Sequence, residues 1–180
     1  MKGDDFMAIW FASDWHFCHD REFVWKERGF NSVDEMNEAI VERHNSLIKD
    51  EDIVYVLGDL MLMDNKKGME LFNKMNGQFY IIRGNHDTNA RLELYKTHPR
   101  VKEIVWMKDL KVGKLMFMLS HWPLVVANEG YNPVYNLHGH THQKEKYSDL
   151  GNHNYHVGMD THNCYPTSLD KIIEDLSQQK

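Results

Sequence analysis

Residues 79–87 read Phe79-Tyr80-Ile81-Ile82-Arg83-Gly84-Asn85-His86-Asp87, an apolar run that reaches a glycine and opens into polar donors. A short apolar run bounded by a glycine is the mark of a buried strand entering a turn. The same form recurs along the chain. Residues 6–12 lead to Asp14-Trp15-His16, residues 53–57 to Gly58-Asp59, residues 114–119 to Ser120-His121, and residues 134–137 to Gly139-His140-Thr141-His142. Donors that follow strands in this way fall where open α/β sheets carry their sites, at the carboxyl ends.

Helical signals lie between the runs. Ser32, with Glu35 three residues later, has the form of a capping box. Val33, Met36, Ile40, Leu47 and Ile48 then recur at helical spacing, which predicts a helix to about residue 49. Leu71, Phe72 and Met75 form a second stripe before the Asn76-Gly77 turn signal, and helix formers fill residues 89–96 ahead of Pro99. The second half is richer in strands: residues 103–107, 114–119, 134–137 and 155–157, with Val112-Gly113-Lys114 as a hairpin turn. A last helix is predicted over residues 168–177. Two sheets packed together with helices outside accommodate both halves.

A chain of 180 residues predicts one domain, 1–180, large enough for a real core. The net charge of −6 argues against non-specific binding to nucleic acid or anionic lipid, which needs basic patches. No stretch approaches the roughly 20 apolar residues of a membrane span. Met1-Lys2-Gly3-Asp4-Asp5 lacks the basic and apolar regions of a signal peptide. Cys18 and Cys164 follow no zinc or redox spacing, which fits a reducing, cytoplasmic setting.

The polar clusters supply two carboxylates (Asp14, Asp59), one amide oxygen (Asn85) and four imidazoles (His16, His121, His140, His142). Seven such donors are enough for two metal ions side by side. Period-two geometry sets Asp14 and His16 on one side of an extended chain, and His140 and His142 likewise, so each pair is expected to bite one ion without backbone strain. Gly58, Gly84 and Gly139 fit the sharp bends at strand ends. The donor set suits manganese, iron, zinc or nickel better than calcium, and lacks the thiolates of structural zinc. Asp59, alone in its cluster, suits a bridge. Two ions about 3.5–4 Å apart can share and acidify a water and clamp the oxygens of an in-line displacement at phosphorus. A surface histidine tract would explain His140 and His142 but neither Asp59 nor Asn85.

The ordered set Asp14-x-His16, Gly58-Asp59, Gly84-Asn85-His86-Asp87, His121 and Gly139-His140-x-His142 resembles the calcineurin-like metallophosphoesterase superfamily over residues 9–160. The opening Ser13-Asp14-Trp15-His16-Phe17-Cys18-His19 is similar to its small bacterial and phage members. The resemblance implies an α/β fold, a four-layer α/β/β/α sandwich of two mixed sheets flanked by helices, with two divalent ions at its rim and manganese favoured. It implies that Asp14, His16, Asp59 and His142 hold one ion, and Asp59, Asn85, His121 and His140 the other. His86 would face the substrate, stabilise charge on the phosphoryl oxygens and protonate the leaving group, with Asp87 orienting its ring. His19 is a candidate contact to the substrate phosphate. Arg83 either reaches a phosphate or pairs with a carboxylate structurally, and the structural role is favoured.

Trp15 and Cys18 stand where relatives carry smaller residues, which points to an altered pocket wall rather than altered chemistry. His138 is expected in the core or behind the ligands, His156 in a strand, and His153 and His162 facing solvent. Asp160, Asn163 and Pro166 resemble a structural turn near the site, and Trp122 is expected to be buried.

The implied activity is metal-dependent hydrolysis of phosphate esters, a phosphodiesterase before a monoesterase, with a hydroxide shared by both ions as nucleophile. The implied substrate is a small phosphoester or nucleotide in an open site. A nuclease is disfavoured by the acidic charge and the lack of a basic run. A non-catalytic scaffold would be expected to lose ligands or His86, and every such position is filled; a metal store or sensor would bind ions but never turn over phosphate esters. Oligomeric state has no signature in this sequence.

Overall fold

The computed structural model describes residues 7–126, 133–147 and 153–178. Strand β1 (Ile9–Ala12) begins later than the apolar run predicts, because Met7 and Ala8 precede it. Phe6 and the N-terminal stretch 1–5 lie outside the described residues. A single turn, α1 (Glu22–Trp25), follows, then α2 (Val33–Leu47). Ser32 Oγ accepts the Glu35 amide at 3.1 Å as predicted, but the Glu35 carboxylate reaches back to the Asn31 amide at 2.8 Å. The helix stops at Leu47 because Ile48 turns extended and buries its side chain.

Next come β2 (Ile53–Val56), α3 (Asn65–Phe72), β3 (Gln78–Ile82), α4 (Asn89–Lys96) and β4 (Val101–Val105). After Trp106 the chain changes sheets, giving β5 (Met107–Val112), β6 (Leu115–Ser120), β7 (Val134–His138) and β8 (Asn154–His156). The predicted strand 103–107 therefore straddles two strands in different sheets. A two-residue strand β9 (Thr167–Ser168) leads into α5 (Leu169–Ser177).

The first sheet has the order β4-β3-β2-β1-β9, with β9 antiparallel to β1 and the others parallel. The second has the order β5-β6-β7-β8, an antiparallel hairpin continued by parallel pairs. Strands β2 and β3 read as unbroken apolar runs because both faces of this sheet are covered. Val54, Val56, Phe79 and Ile81 point to the helices, against Met36, Ile40, Phe72 and Tyr95. Phe11, Tyr55, Leu57 and Ile82 point to the second sheet, against Phe117, Leu119, Leu137 and Tyr155, with Ile172 and Leu176 of α5 joining that core. The result is the expected sandwich of two mixed sheets with flanking helices. The sheets meet at the end that carries the donors, where Ser13 bridges Gly158 and Ser13 Oγ donates to the Leu57 carbonyl at 2.8 Å. No helix among the described residues is long and apolar enough to cross a membrane.

Helix α5 is pinned by Asp175, whose carboxylate accepts from Lys146 Nζ (2.7 Å), Lys171 Nζ (2.8 Å) and Tyr155 Oη (2.7 Å). Burial alone would raise this carboxyl, but the three donors hold it down to about 2. Its stabilisation is therefore present above the unfolded-state value near 4 and lost as pH falls through about 2. Asp175→Ala should cost about 1–3 kcal/mol at neutral pH, the range for stranding one buried partner, here the Tyr155 hydroxyl. Thermal melts of both proteins check this: the gap in Tm should narrow as pH drops from 4 towards 2.

Candidate metal centre

All seven expected donors lie just past the carboxyl ends of strands: Asp14 and His16 after β1, Asp59 after β2, Asn85 after β3, His121 after β6, and His140 and His142 after β7. The backbone there is not the relaxed extended chain expected. Asp14 (φ 59°), His16 (φ 51°), Asp59 (φ 56°), His140 (φ 70°) and His142 (φ 51°) are all left-handed. Such residues cost of order 1–3 kcal/mol each and persist only where their surroundings over-determine them. Here the loops lock one another. Asp14 N donates to Gly58 O and His16 N to Asp59 O, each at 3.0 Å, and His140 N donates to Asp14 Oδ2 at 2.9 Å. Gly139 serves close approach rather than turning, since a Cβ there would run into Ser13 Oγ and Asp14 Oδ2. The turn at residues 14–16 sends Trp15 into the core against Phe17, Phe72 and Phe79, so it forms no pocket wall.

The donors fall into two groups. In the first, His16 Nε2 and His142 Nε2 are 3.1 Å apart, and they lie 3.8 and 3.9 Å from Asp14 Oδ1. In the second, Asn85 Oδ1 lies 2.8 Å from His121 Nε2 and 2.9 Å from His140 Nδ1. Asp59 Oδ2 faces both groups, 3.9 Å from His16 Nε2 and 3.4 Å from His121 Nε2. His140 and His142 are thus divided between the groups and do not form the pair that their spacing suggests.

The donor set fits divalent ions. Atoms between 2.8 and 3.9 Å apart have the spacing of ligands that each stand about 2.0–2.2 Å from one ion. Asp14 Oδ1 is buried with no hydrogen-bond partner among the described residues, a costly state for a carboxylate unless a cation answers it. Burial pulls the His16 imidazole well below its ordinary value, which leaves it in the neutral form that binds metal.

Behind the first group stands a buried ion pair. His142 Nδ1 donates to Asp160 Oδ2 at 2.9 Å, fixing the tautomer that leaves Nε2 free to ligate. Asp160 in turn receives both Nε and Nη2 of Arg28, each at 2.9 Å. The Arg28 side chain is 1% exposed, and it also donates to the carbonyls of Asp14 (2.8 Å) and Trp15 (3.2 Å). Burial would raise the Asp160 carboxyl, but His142 and Arg28 hold it well below the usual range. Asp160, expected to be a structural turn, is therefore the hydrogen-bond partner of a candidate donor, His142. Arg28 carries no sequence signal for this role.

Asp87 does not orient His86. Its buried carboxylate accepts from the amides of Gly84 (2.8 Å), Asp59 (2.8 Å) and Leu60 (3.3 Å), and from Tyr95 Oη (2.8 Å). Those bonds splice the loops after β2 and β3, with the carboxylate committed to backbone. His86 is held instead by its own amide, which donates to Asp59 Oδ1 at 2.8 Å. Its ring is 43% exposed, with Nε2 4.0 Å from Asp59 Oδ2. The His19 ring lies 5.3 Å from that of His16 and 6.5 Å from that of His86, at the edge of the site.

Arg83 lies over the Trp106 ring at 4.5 Å rather than among the donors. Trp122 is half-buried and borders the second group, 5.0 Å from the His121 ring and 5.9 Å from that of His140. His138 is core, as expected, with Nδ1 donating to the Gly139 carbonyl. His162 does not face solvent: it stacks on Tyr155 and donates to the His156 carbonyl. His153 packs half-buried on Tyr135.

A sequence profile of the family described as calcineurin-like phosphoesterase matches residues 7–180. An uncharacterized protein of Methanocaldococcus jannaschii is 33% identical over 181 residues, spanning 96% of this chain and 93% of that protein. Among solved structures, a protein of unknown function from Aquifex aeolicus shares 21% identity at a TM-score of 0.75, covering 93% of this chain and 98% of its own. Yfce, a phosphoesterase from E. coli, aligns at 19% identity and a TM-score of 0.46, over 84% of this chain and 78% of its own.

Removing the charge behind His142 should loosen the first group selectively. Asp160→Asn is expected to weaken Mn2+ binding at one site about 10–100-fold, the usual effect of losing a ligand's hydrogen-bond partner. Titration calorimetry on wild type and variant resolves this, and equal affinities would remove Asp160 from the ligand shell.

Proposed function

The chain belongs to the calcineurin-like phosphoesterases, and from that premise we propose that it is a metal-dependent phosphodiesterase with a dinuclear centre. Family membership supports metal-dependent phosphoester hydrolysis in general. One observation carries the dinuclear reading: the two groups of donors both face Oδ2 of Asp59. In this proposal Asp14, His16, Asp59 and His142 hold one ion, and Asp59, Asn85, His121 and His140 the other. The mixed oxygen and imidazole set favours manganese, with iron, zinc or nickel able to substitute. Such a pair of ions, when bound, supplies an acidified water and neutralises charge developing at phosphorus.

The chain's own residues do the rest. Asp160 keeps the His142 Nε2 lone pair turned to the site. Asp59 Oδ1 fixes the backbone of His86, so that its half-exposed ring stands over the shared carboxylate. From there Nε2–H can protonate the leaving oxygen and stabilise the phosphoryl oxygens.

A diester is favoured over a monoester by charge. Beyond the two ions themselves, Lys144 is the one fixed positive charge among the described residues lining the adjoining cavity, so the chain's own side chains offer little to the second charge of a monoester dianion. The substrate is a small phosphoester or nucleotide. We propose a cytoplasmic setting, which the free thiols of Cys18 and Cys164 support.

Chelated protein resupplied with Mn2+ should hydrolyse bis(p-nitrophenyl) phosphate faster than p-nitrophenyl phosphate. On a dialkyl phosphate, whose poor leaving group needs a proton, His86→Ala should lower kcat about 10²–10⁴-fold, the usual contribution of a general acid, with a smaller loss on the p-nitrophenyl diester and Mn2+ affinity retained. Bound Mn2+ without turnover of either ester would contradict the proposal.

A further inference from the structure

A cavity of about 520 Å³ opens beside the first donor group, lined by His16, His86 and His142 and also by Phe23, Glu27 and Lys144. If His86 protonates the leaving oxygen, the leaving alcohol must lie in the space onto which His86 opens. The rest of the lining of that space then selects the alcohol.

The wall has a definite chemistry. Phe23 lies on α1 and its side chain is 69% exposed, an unusual state for a phenylalanine. Its ring meets His19 at 5.8 Å with the planes at 87°, and Val24 adds apolar surface beside it. At the rim, Glu27 and Lys144 are 3.9 Å apart and 70% and 71% exposed, too loosely paired to satisfy each other. They offer one acceptor and one donor. A small alcohol such as methanol would leave Phe23 in water, and a larger purely aliphatic one would leave the donor and acceptor at the rim unanswered. A strongly anionic group would meet the carboxylates of Glu27 and Asp160, both in the lining. A planar group with an apolar face and a polar edge satisfies all of these features, and a nucleobase is such a group.

We infer that this cavity is the leaving-group pocket for a nucleoside, with the base on Phe23 and its polar edge facing Glu27 and Lys144. The inference rests on the phosphodiesterase proposal and adds which ester oxygen departs. Water oxygen forms the new bond to phosphorus, and the bond from phosphorus to the nucleoside oxygen breaks with its electron pair on that oxygen. His86 Nε2–H supplies the proton, and the proton released by the attacking water restores His86. The products are a free nucleoside and a phosphate monoester of the other alcohol.

The methyl diester of adenosine 5′-phosphate separates the two regiochemistries. With Mn2+ the protein should release adenosine and methyl phosphate rather than AMP and methanol. Phe23→Ala should lower kcat/KM for adenosine release about tenfold, the scale of a lost base–aromatic stack, while Phe23→Trp should retain it. Release of AMP and methanol would overturn the inference, as would an unchanged kcat/KM in Phe23→Ala. So would turnover of bis(p-nitrophenyl) phosphate with no cleavage of the adenosine diester. Failure of both diesters would instead remove the phosphodiesterase proposal beneath it.

Discussion

Asp59 ties this site together through four different atoms. Its carbonyl accepts the His16 amide, and its amide donates to Asp87. Its Oδ1 takes the His86 amide, and its Oδ2 faces both groups of imidazoles. The loops after β1, β2 and β3 therefore meet on one residue, and each reaches the site in a geometry the other two enforce. A change at Asp59 would disturb the proposed bridge and the backbone around it together.

That mutual locking explains how strained backbone survives here. Five donor residues occupy left-handed conformations, each unfavourable for a side chain with a Cβ. Ser13, Asp87 and Arg28 supply the compensation: Ser13 and Arg28 bind carbonyls of the neighbouring loops, and Asp87 binds their amides. None of the three is among the donors, yet each holds one or more donor loops in place. Stability is spent in this arrangement on orientation, and the two cores on either face of the first sheet underwrite it.

The sequence spells out most of the architecture because its strands are buried on both faces and its longer helices carry clear 3.6-residue stripes. It misleads at Trp106, where an apolar run continues unbroken while the chain passes from one sheet to the other. The single turn of α1 and the two residues of β9 are too short to carry any period. The donor types are legible because they cluster after strands, and the structure brings all seven together. Their backbone conformation is not legible, so spacing alone wrongly paired His140 with His142. Asp87 looked like a partner for its neighbour His86, but a tight turn directs its carboxylate to the amides of Gly84 and Asp59 instead. Arg28 and Asp160 meet across 132 residues of chain, a distance at which no local pattern can link them.

Electron paramagnetic resonance of the Mn2+-loaded protein tests most directly the proposal that Asp59 would serve both ions. A pair of manganese ions on one carboxylate gives an exchange-coupled spectrum that grows in as the second equivalent is added. Spectra of isolated, uncoupled Mn2+ at every loading would contradict a shared centre.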